Sequence, residues 1–208
     1  VHVKRLMILL PVLNEAEGLD VILKTIPYET LEKKGWNSDV LIVDGKSTDE
    51  SRQIGIDAGC NVIVQPSRGK GEAVRVGLDY AIRHSYDAVV MFDADQTYSP
   101  NDMLPMLEQL LPGNVVVGNR LNPLMTKDAM SPLNWIGNHI LTWSAVILHG
   151  LEIHDVCSGY WLFDRQALLR MNLNSMDFEI EAEMYAQCAI SGIPLANIPV
   201  SYGARIGE

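Results

Sequence analysis

The chain has 208 residues, 48% of them hydrophobic, and its 26 acidic against 16 basic side chains give a net charge of −10. That length and apolar content suit one buried core and a single domain over residues 1–208, and the acidic excess argues against a nucleic-acid surface as the main partner, so any bound phosphate must be held by local charge. Cys60, Cys157 and Cys188 are far apart with no CxxC pair, which suggests neither a disulfide framework nor a zinc site and fits a reducing cytosol; no secretion signal opens the sequence, and no apolar run reaches the roughly 18 residues of a membrane span.

In chain order, residues 5–13 (RLMILLPVL) read as a buried strand and 15–26 as a helix. A second strand at 39–44 (DVLIVD) leads to a helix at 48–59, with Ser47 and Glu50 as its S-x-x-E capping signal. A third strand at 61–65 (NVIVQ), a helix at 70–84 and a fourth strand at 87–93 (DAVVMFD) follow. Ser99 and Pro100 introduce a helix at 101–111, and NVVVG (114–118) is a fifth strand. Residues 121–133 form an irregular excursion. The stretch 133–150 (LNWIGNHILTWSAVILHG) predicts a helix whose apolar positions, Trp135 and Trp143 among them, leave only a narrow polar stripe of Asn134, Asn138 and Ser144. Near-continuous apolar strands alternating with helices predict an α/β fold, a Rossmann-like, mostly parallel sheet with helices on both faces. Ligands of such sheets collect outside the carboxyl ends of the strands. Here those ends read PVLNEAEG, VDGKSTDES, FDADQ and GNR, a concentration of polar and acidic groups.

Asp93 and Asp95 stand one residue apart at such an end. In extended chain, residues two apart point the same way with Cα atoms roughly 6–7 Å apart, so both carboxylates can face one ion. Hard oxygen ligands of this kind suit Mg²⁺ or Mn²⁺, whose coordination shell substrate phosphates commonly complete. Ordinary strand-end and turn chemistry would also account for an isolated D-x-D.

The ordered set PVLNE, VDGKSTD, SRGKGEAVRVG, FDADQTYSP, GNR, DVCSGYWLF, FEIEAEM and PVSYGARIGE resembles the family-two glycosyltransferases with the GT-A fold, and most of all the dolichyl- or polyprenyl-phosphate sugar synthases. The likeness covers nearly the whole chain. It implies that Pro11, Asn14, Glu15 and Asp44 line a nucleotide pocket, and that Asp93 and Asp95 bind metal and the donor diphosphate. Arg68, Gly69, Lys70 and Gly71 match a glycine-flanked basic loop that approaches the donor. Arg120 and Arg205 match two arginines suited to grip an acceptor phosphate. The sequence also departs from the family: VDGKS has Gly45 and Lys46 where aspartate and glycine are common, Gln96 and Thr97 leave a third side-chain metal ligand unplaced, and Trp161 follows SGY where relatives carry arginine. The family normally continues beyond the position of Glu208, so a C-terminal continuation is expected outside these residues.

The activity so implied is inverting transfer of a hexose from a nucleoside-diphosphate sugar, GDP-mannose first and a UDP-sugar as the other candidate, to dolichyl or polyprenyl phosphate. It would use Mg²⁺ or Mn²⁺ at the cytosolic face of a membrane, with peripheral contact aided by residues 133–149. An anionic phosphate acceptor needs little help from a base. A sugar-hydroxyl or glycolipid acceptor would need one, and Asp155, Glu179 or Glu181 are the candidates. On FEIEAEM, Glu179 and Glu183 share a helix face while Glu181 points elsewhere. A non-catalytic nucleotide-sugar-binding module is the third reading. The five histidines have no metal-ligand spacing.

Overall fold

A computed structural model describes residues 3–205. Its elements are β1 (Lys4–Val12), α1 (Ala16–Thr25), α2 (Tyr28–Lys33), β2 (Trp36–Asp44), α3 (Ser51–Asp57), β3 (Asn61–Val64), α4 (Lys70–Arg83), β4 (Ala88–Met91), a 3₁₀ turn (Pro100–Asp102), α5 (Met103–Glu108), β5 (Val115–Asn119), α6 (Pro132–His149), β6 (Trp161–Asp164), α7 (Arg165–Leu168), α8 (Ile180–Ile190) and β7 (Leu195–Pro199). The seven strands form one sheet in the order β3-β2-β1-β4-β6-β5-β7. β3, β2, β1 and β4 run parallel, β6 is antiparallel to β4 and β5, and β7 is parallel to β5.

The continuous apolar run of β1 is buried because both its faces are covered. Leu6, Ile8 and Leu10 pack with Leu19 and Ile22 of α1 and Met103 and Met106 of α5 on one side. Met7 and Leu9 meet Val74 and Leu78 of α4 and Ile180 and Met184 of α8 on the other. The expected mostly parallel sheet with helices on both faces is what forms, and residues 121–131 are the expected irregular excursion.

One local expectation changes, and two further segments are defined by the structure. The Ser47 capping signal does not cap a helix: α3 begins only at Ser51, with Glu50 as its uncapped N-terminal neighbour, and the Ser47 hydroxyl accepts the Asn14 amide at 2.9 Å. A tertiary hydrogen bond to the end of β1 has taken the cap's place. The stretch VCSGY (156–160) is a turn, and the strand that follows starts at Trp161. Residues 132–149 are helical as expected, with the Ser131 hydroxyl accepting from Asn134 N and Gly150 ending the helix at φ 70°. Thr142 is the one buried residue of α6, with Ala145 and Val146 packed partly buried against the core, so most of the helix's apolar positions face outward.

Candidate active site

Three strand ends turn through residues held in the left-handed region: Asn14 (φ 55°) after β1, Lys46 (φ 70°) after β2 and Gln96 (φ 64°) after β4. Such conformations are uncommon for side chains with a Cβ and cluster at functional sites. Asn14 and Lys46, with Asp95 beside Gln96, line a cavity of about 620 Å³ at the carboxyl edge of the parallel strands. Pro11, Asn14, Glu15, Lys70, Asp93, Asp95 and Arg205 line it, so the structure gathers these expected residues into one place.

Asp93 and Asp95 are held from different sides. Asp93 Oδ1 lies 2.6 Å from Lys70 Nζ, which also reaches Glu181 Oε1 at 2.7 Å. A Cβ on Gly159 would lie 2.3 Å from Asp93 Oδ2, so only glycine leaves that carboxylate its position. Asp95 Oδ1 accepts from Thr97 N at 3.1 Å and Thr97 Oγ1 at 2.6 Å, which fixes the carboxylate plane. Asp95 Oδ2 lies 3.9 Å from Arg205 Nε. Arg205 Nη2 donates to Glu15 Oε1. Burial raises the pKa of Glu15, and Asp95 and Asp93 add to the rise against the pull of Arg205. Burial likewise raises Glu181 against Lys70, whereas for Lys70 the two carboxylates outweigh burial and hold its charge firmly.

Several expected site residues lie elsewhere. Asp44 does not line the cavity. Its Oδ1 accepts from Ser47 N, its Oδ2 from Lys46 N and from Arg52 at 2.8 Å, so it staples the loop after β2 rather than offering an acceptor to a nucleotide. Arg120 is buried, with Nε and Nη2 on the two oxygens of Asp155 at 2.7 and 2.9 Å and the Tyr202 ring 5.1 Å from its guanidinium carbon. That fork is already engaged and does not face the cavity. Asp155, offered as a base, is fully buried and also accepts from Arg120 N. Glu179 accepts the Met176 and Asp177 amides, and Glu183 those of Asn174 and Ser175, so both carboxylates organise the approach to α8. Glu181, also offered as a base and expected off the face shared by Glu179 and Glu183, points at Lys70.

Sequence reasoning missed Gln65. It is 2% exposed yet lines the cavity, and its amide nitrogen donates to Ser67 O (2.8 Å) and Gly69 O (3.1 Å), so the carboxamide oxygen is the part left for a ligand. Asp177 and Phe178 also line the cavity from the far side of the chain. No periodicity marks such residues.

Among the described residues, no group of three or more His, Cys, Asp or Glu side chains could hold a metal ion. The charge nevertheless suits a divalent cation that shares its ligands with a diphosphate. In the ion-pair network around the D-x-D, four carboxylates, Glu15, Asp93, Asp95 and Glu181, face two cations, Lys70 and Arg205, while Lys46, Arg68 and Asp177 add charge elsewhere on the lining. Asp93 and Asp95 would hold such an ion, with donor oxygens completing its shell.

This sheet and this acidic strand edge are those of a GT-A glycosyltransferase. The Glycosyl transferase family 2 model matches residues 7–171, and the chain belongs to that family of enzymes. It is 38% identical to glycosyltransferase AglJ of Haloferax volcanii over 95% of its own length, spanning 63% of that protein. It is 30% identical to the dolichyl-phosphate hexose transferase of the same organism, with 94% of this chain and 81% of that one covered. Among solved structures, glucosyl-3-phosphoglycerate synthase from Mycobacterium tuberculosis in complex with Mn²⁺ and uridine-diphosphate-glucose shares the fold, at a TM-score of 0.68 and 19% identity, over 99% of this chain and 71% of that one.

Proposed function

We propose that this glycosyltransferase moves a hexose from a nucleoside-diphosphate sugar to a polyprenyl or dolichyl phosphate at the cytosolic face of a membrane, inverting the anomeric carbon. GDP-mannose is the first donor to test and UDP-sugars the second. The observation that carries the lipid acceptor is α6. Leu133, Ile136, Ile140, Leu141, Trp143, Ile147 and Leu148 are all exposed, and at 100° per residue they fill an arc of about 160° on the helix surface. A soluble surface helix turns such an arc inward; here it turns outward. An interfacial helix has this form, with tryptophans suited to the headgroup region. No helix of the described residues is long and apolar enough to cross a membrane.

The inner side of α6 is tied to the turn that runs behind Asp93. Thr142 Oγ1 accepts from Val156 N at 3.1 Å, and residues 155–159 run from the Arg120–Asp155 pair to Gly159 against Asp93. A tail entering along α6 would thus bring its phosphate to the D-x-D side of the cavity. The name of the dolichyl-phosphate hexose transferase relative supports the same acceptor class.

The chemistry follows from how the side chains are committed. A divalent cation, when bound, neutralises charge growing on the departing diphosphate. Asp95, locked by Thr97, and Asp93, fixed against Gly159, hold the donor end in one orientation, which supplies the positioning that in-line displacement needs. Lys70 adds a fixed positive charge beside the leaving group. Arg205, 50% exposed at its side chain and on the cavity wall, is placed to receive the acceptor phosphate. Arg120 acts at one remove by holding Asp155 and the turn that follows it. A phosphate oxygen is already anionic and needs no proton removed. A hydroxyl acceptor would need a base, yet Asp155 and Glu181 are each paired to a cation and Glu179 holds backbone amides.

The test is a donor panel of GDP-mannose and UDP-sugars with a polyprenyl phosphate and Mg²⁺ or Mn²⁺. The expected product is a lipid-linked sugar released by mild acid, as a phosphodiester-linked sugar is. Transfer only to a sugar hydroxyl or to a small soluble phosphate would overturn the lipid acceptor, and donor binding without any transfer would leave a binding module.

A further inference from the structure

Lys70 occupies the ground that a bound cation would share. It is the first residue of α4, its side chain is 14% exposed, and its ammonium bridges Asp93 and Glu181. Backbone packing sets that bridge. A Cβ on Gly69 would lie 2.0 Å from Met176 O and one on Gly71 2.5 Å from Ser175 O, so glycines on both sides of Lys70 let the segment leading into α8 close over it. Gly69 also sits at φ 108°, which a side chain rarely tolerates. Glu181, 6% exposed and outside the cavity lining, therefore meets the lysine from behind while Asp93 meets it from the cavity side.

With Lys70 on Oδ1, Asp93 has only Oδ2, which the absent side chain of Gly159 leaves clear, to offer a metal ion in the ligand-free protein. An ammonium has three donors. It can keep Glu181 with one and turn another from Asp93 to an arriving phosphate oxygen. We propose that Lys70 is an internal counter-cation that reserves Asp93 until a donor diphosphate draws it away, and that Glu181 is the positioning residue that retains it as it turns. Metal and donor then bind cooperatively, and linkage makes the coupling the same in both directions. This rests on the glycosyltransferase reading and adds an order to its binding steps: the metal site matures with the donor.

The probe is Mn²⁺ alone, followed by its electron paramagnetic resonance signal, with and without saturating UDP or GDP and with the free Mn²⁺–nucleotide complex subtracted. The wild-type protein is expected to bind Mn²⁺ at least tenfold more tightly with nucleotide. Lys70→Met should tighten nucleotide-free Mn²⁺ binding at least tenfold and shrink the coupling by a similar factor. Glu181→Gln, which leaves Lys70 to Asp93 alone, should weaken nucleotide-free binding. Because Lys70→Met leaves Glu181 buried without its cation, the double variant Lys70→Met/Glu181→Gln is measured beside it, and it should show the same loss of coupling. A lysine that merely repels Mn²⁺ without moving would shift both affinities equally and preserve the coupling, and that result overturns the proposal. Loss of coupling in a protein that transfers no sugar from any donor would uphold the counter-cation and overturn the transferase reading instead.

Discussion

Replacing Trp135 and Trp143 by serine should detach the protein from lipid without unfolding it. Trp143, 68% exposed, lies in the outward arc and Trp135, 42% exposed, stands about 80° beyond its edge; together they expose about one whole tryptophan surface. Burying a large apolar side chain contributes roughly 1.5–3 kcal/mol. The pair therefore contributes about 2–3 kcal/mol, a loss of roughly 30- to 150-fold in partitioning for the variant. The assay is flotation with liposomes of neutral and of partly anionic lipid. The net charge of −10 offers no general attraction to anionic headgroups, so the neutral vesicles should bind at least as well. Folding should survive, because exposed positions away from buried contacts usually shift stability by no more than about 0.5 kcal/mol. Trp135 does contact the His139 ring at 4.2 Å, so circular dichroism and a melting curve accompany the flotation. Equal flotation of parent and variant, or none by either, would refute α6 as an anchor. A dimer in sedimentation that the same substitutions dissolve would assign the arc to a second copy and refute the lipid surface as well.

Asp95→Asn keeps an oxygen for Thr97 but loses the charge, and turnover should fall by at least about 10²-fold with the fold intact; undiminished turnover in excess chelator would remove the metal assignment. Arg205→Ala should lower kcat/KM for the lipid phosphate while changing the donor KM little, and an unaltered acceptor dependence would take Arg205 out of that role. Asp155→Ala leaves Arg120 buried and unpaired, a loss of about 3–5 kcal/mol, so Tm should drop by at least about 6 °C; an unchanged Tm would show the pair to be dispensable. For Asp44, Asp49 and Glu183, burial opposes ionisation but hydrogen bonds outweigh it and lower their pKa values in the folded state. The stability they contribute is complete above the ordinary carboxylate range, about 4, and is lost as pH falls through their folded values. Tm measured from about pH 6 down to about 3 should therefore fall, and less steeply for Asp44→Asn; parallel profiles would contradict the staple assigned to Asp44.

The parallel half of the sheet was legible because its strands are buried on both faces, so composition alone marks them: ILLPV in β1 and VLIV in β2 need no partner to be recognised. The second half was less so. β6 pairs antiparallel with both β4 and β5, and residues 155–160 before it run without strand although Val156 and Tyr160 are strand formers. Gly159 and Tyr160 are placed there by the Tyr98 hydroxyl, which accepts Gly159 N at 2.8 Å from 61 residues away. A contact of that span leaves no local trace. Ser47 shows the same override at short range, its hydroxyl going to Asn14 rather than to the helix it precedes.

In the site, the acidic pair could be read because the chemistry lies in two neighbouring letters, while the partners that decide what each charge does lie far off in the chain. Arg120 and Arg205 look equivalent as letters, each a lone arginine in a motif near the end of an apolar run. Folding separates them. Asp155 takes both arms of Arg120 in a buried pair, so that moving it to a phosphate would abandon a fully desolvated carboxylate. Arg205 is half exposed and touches Glu15 and Asp95, whose side chains are 15% and 17% exposed and crowded by a third acid at Asp93, so turning toward an incoming phosphate abandons no fully buried carboxylate of the kind Arg120 holds. On the proposed function the acceptor phosphate falls to Arg205, and its approach would draw Arg205 off the carboxylates proposed to hold the divalent cation.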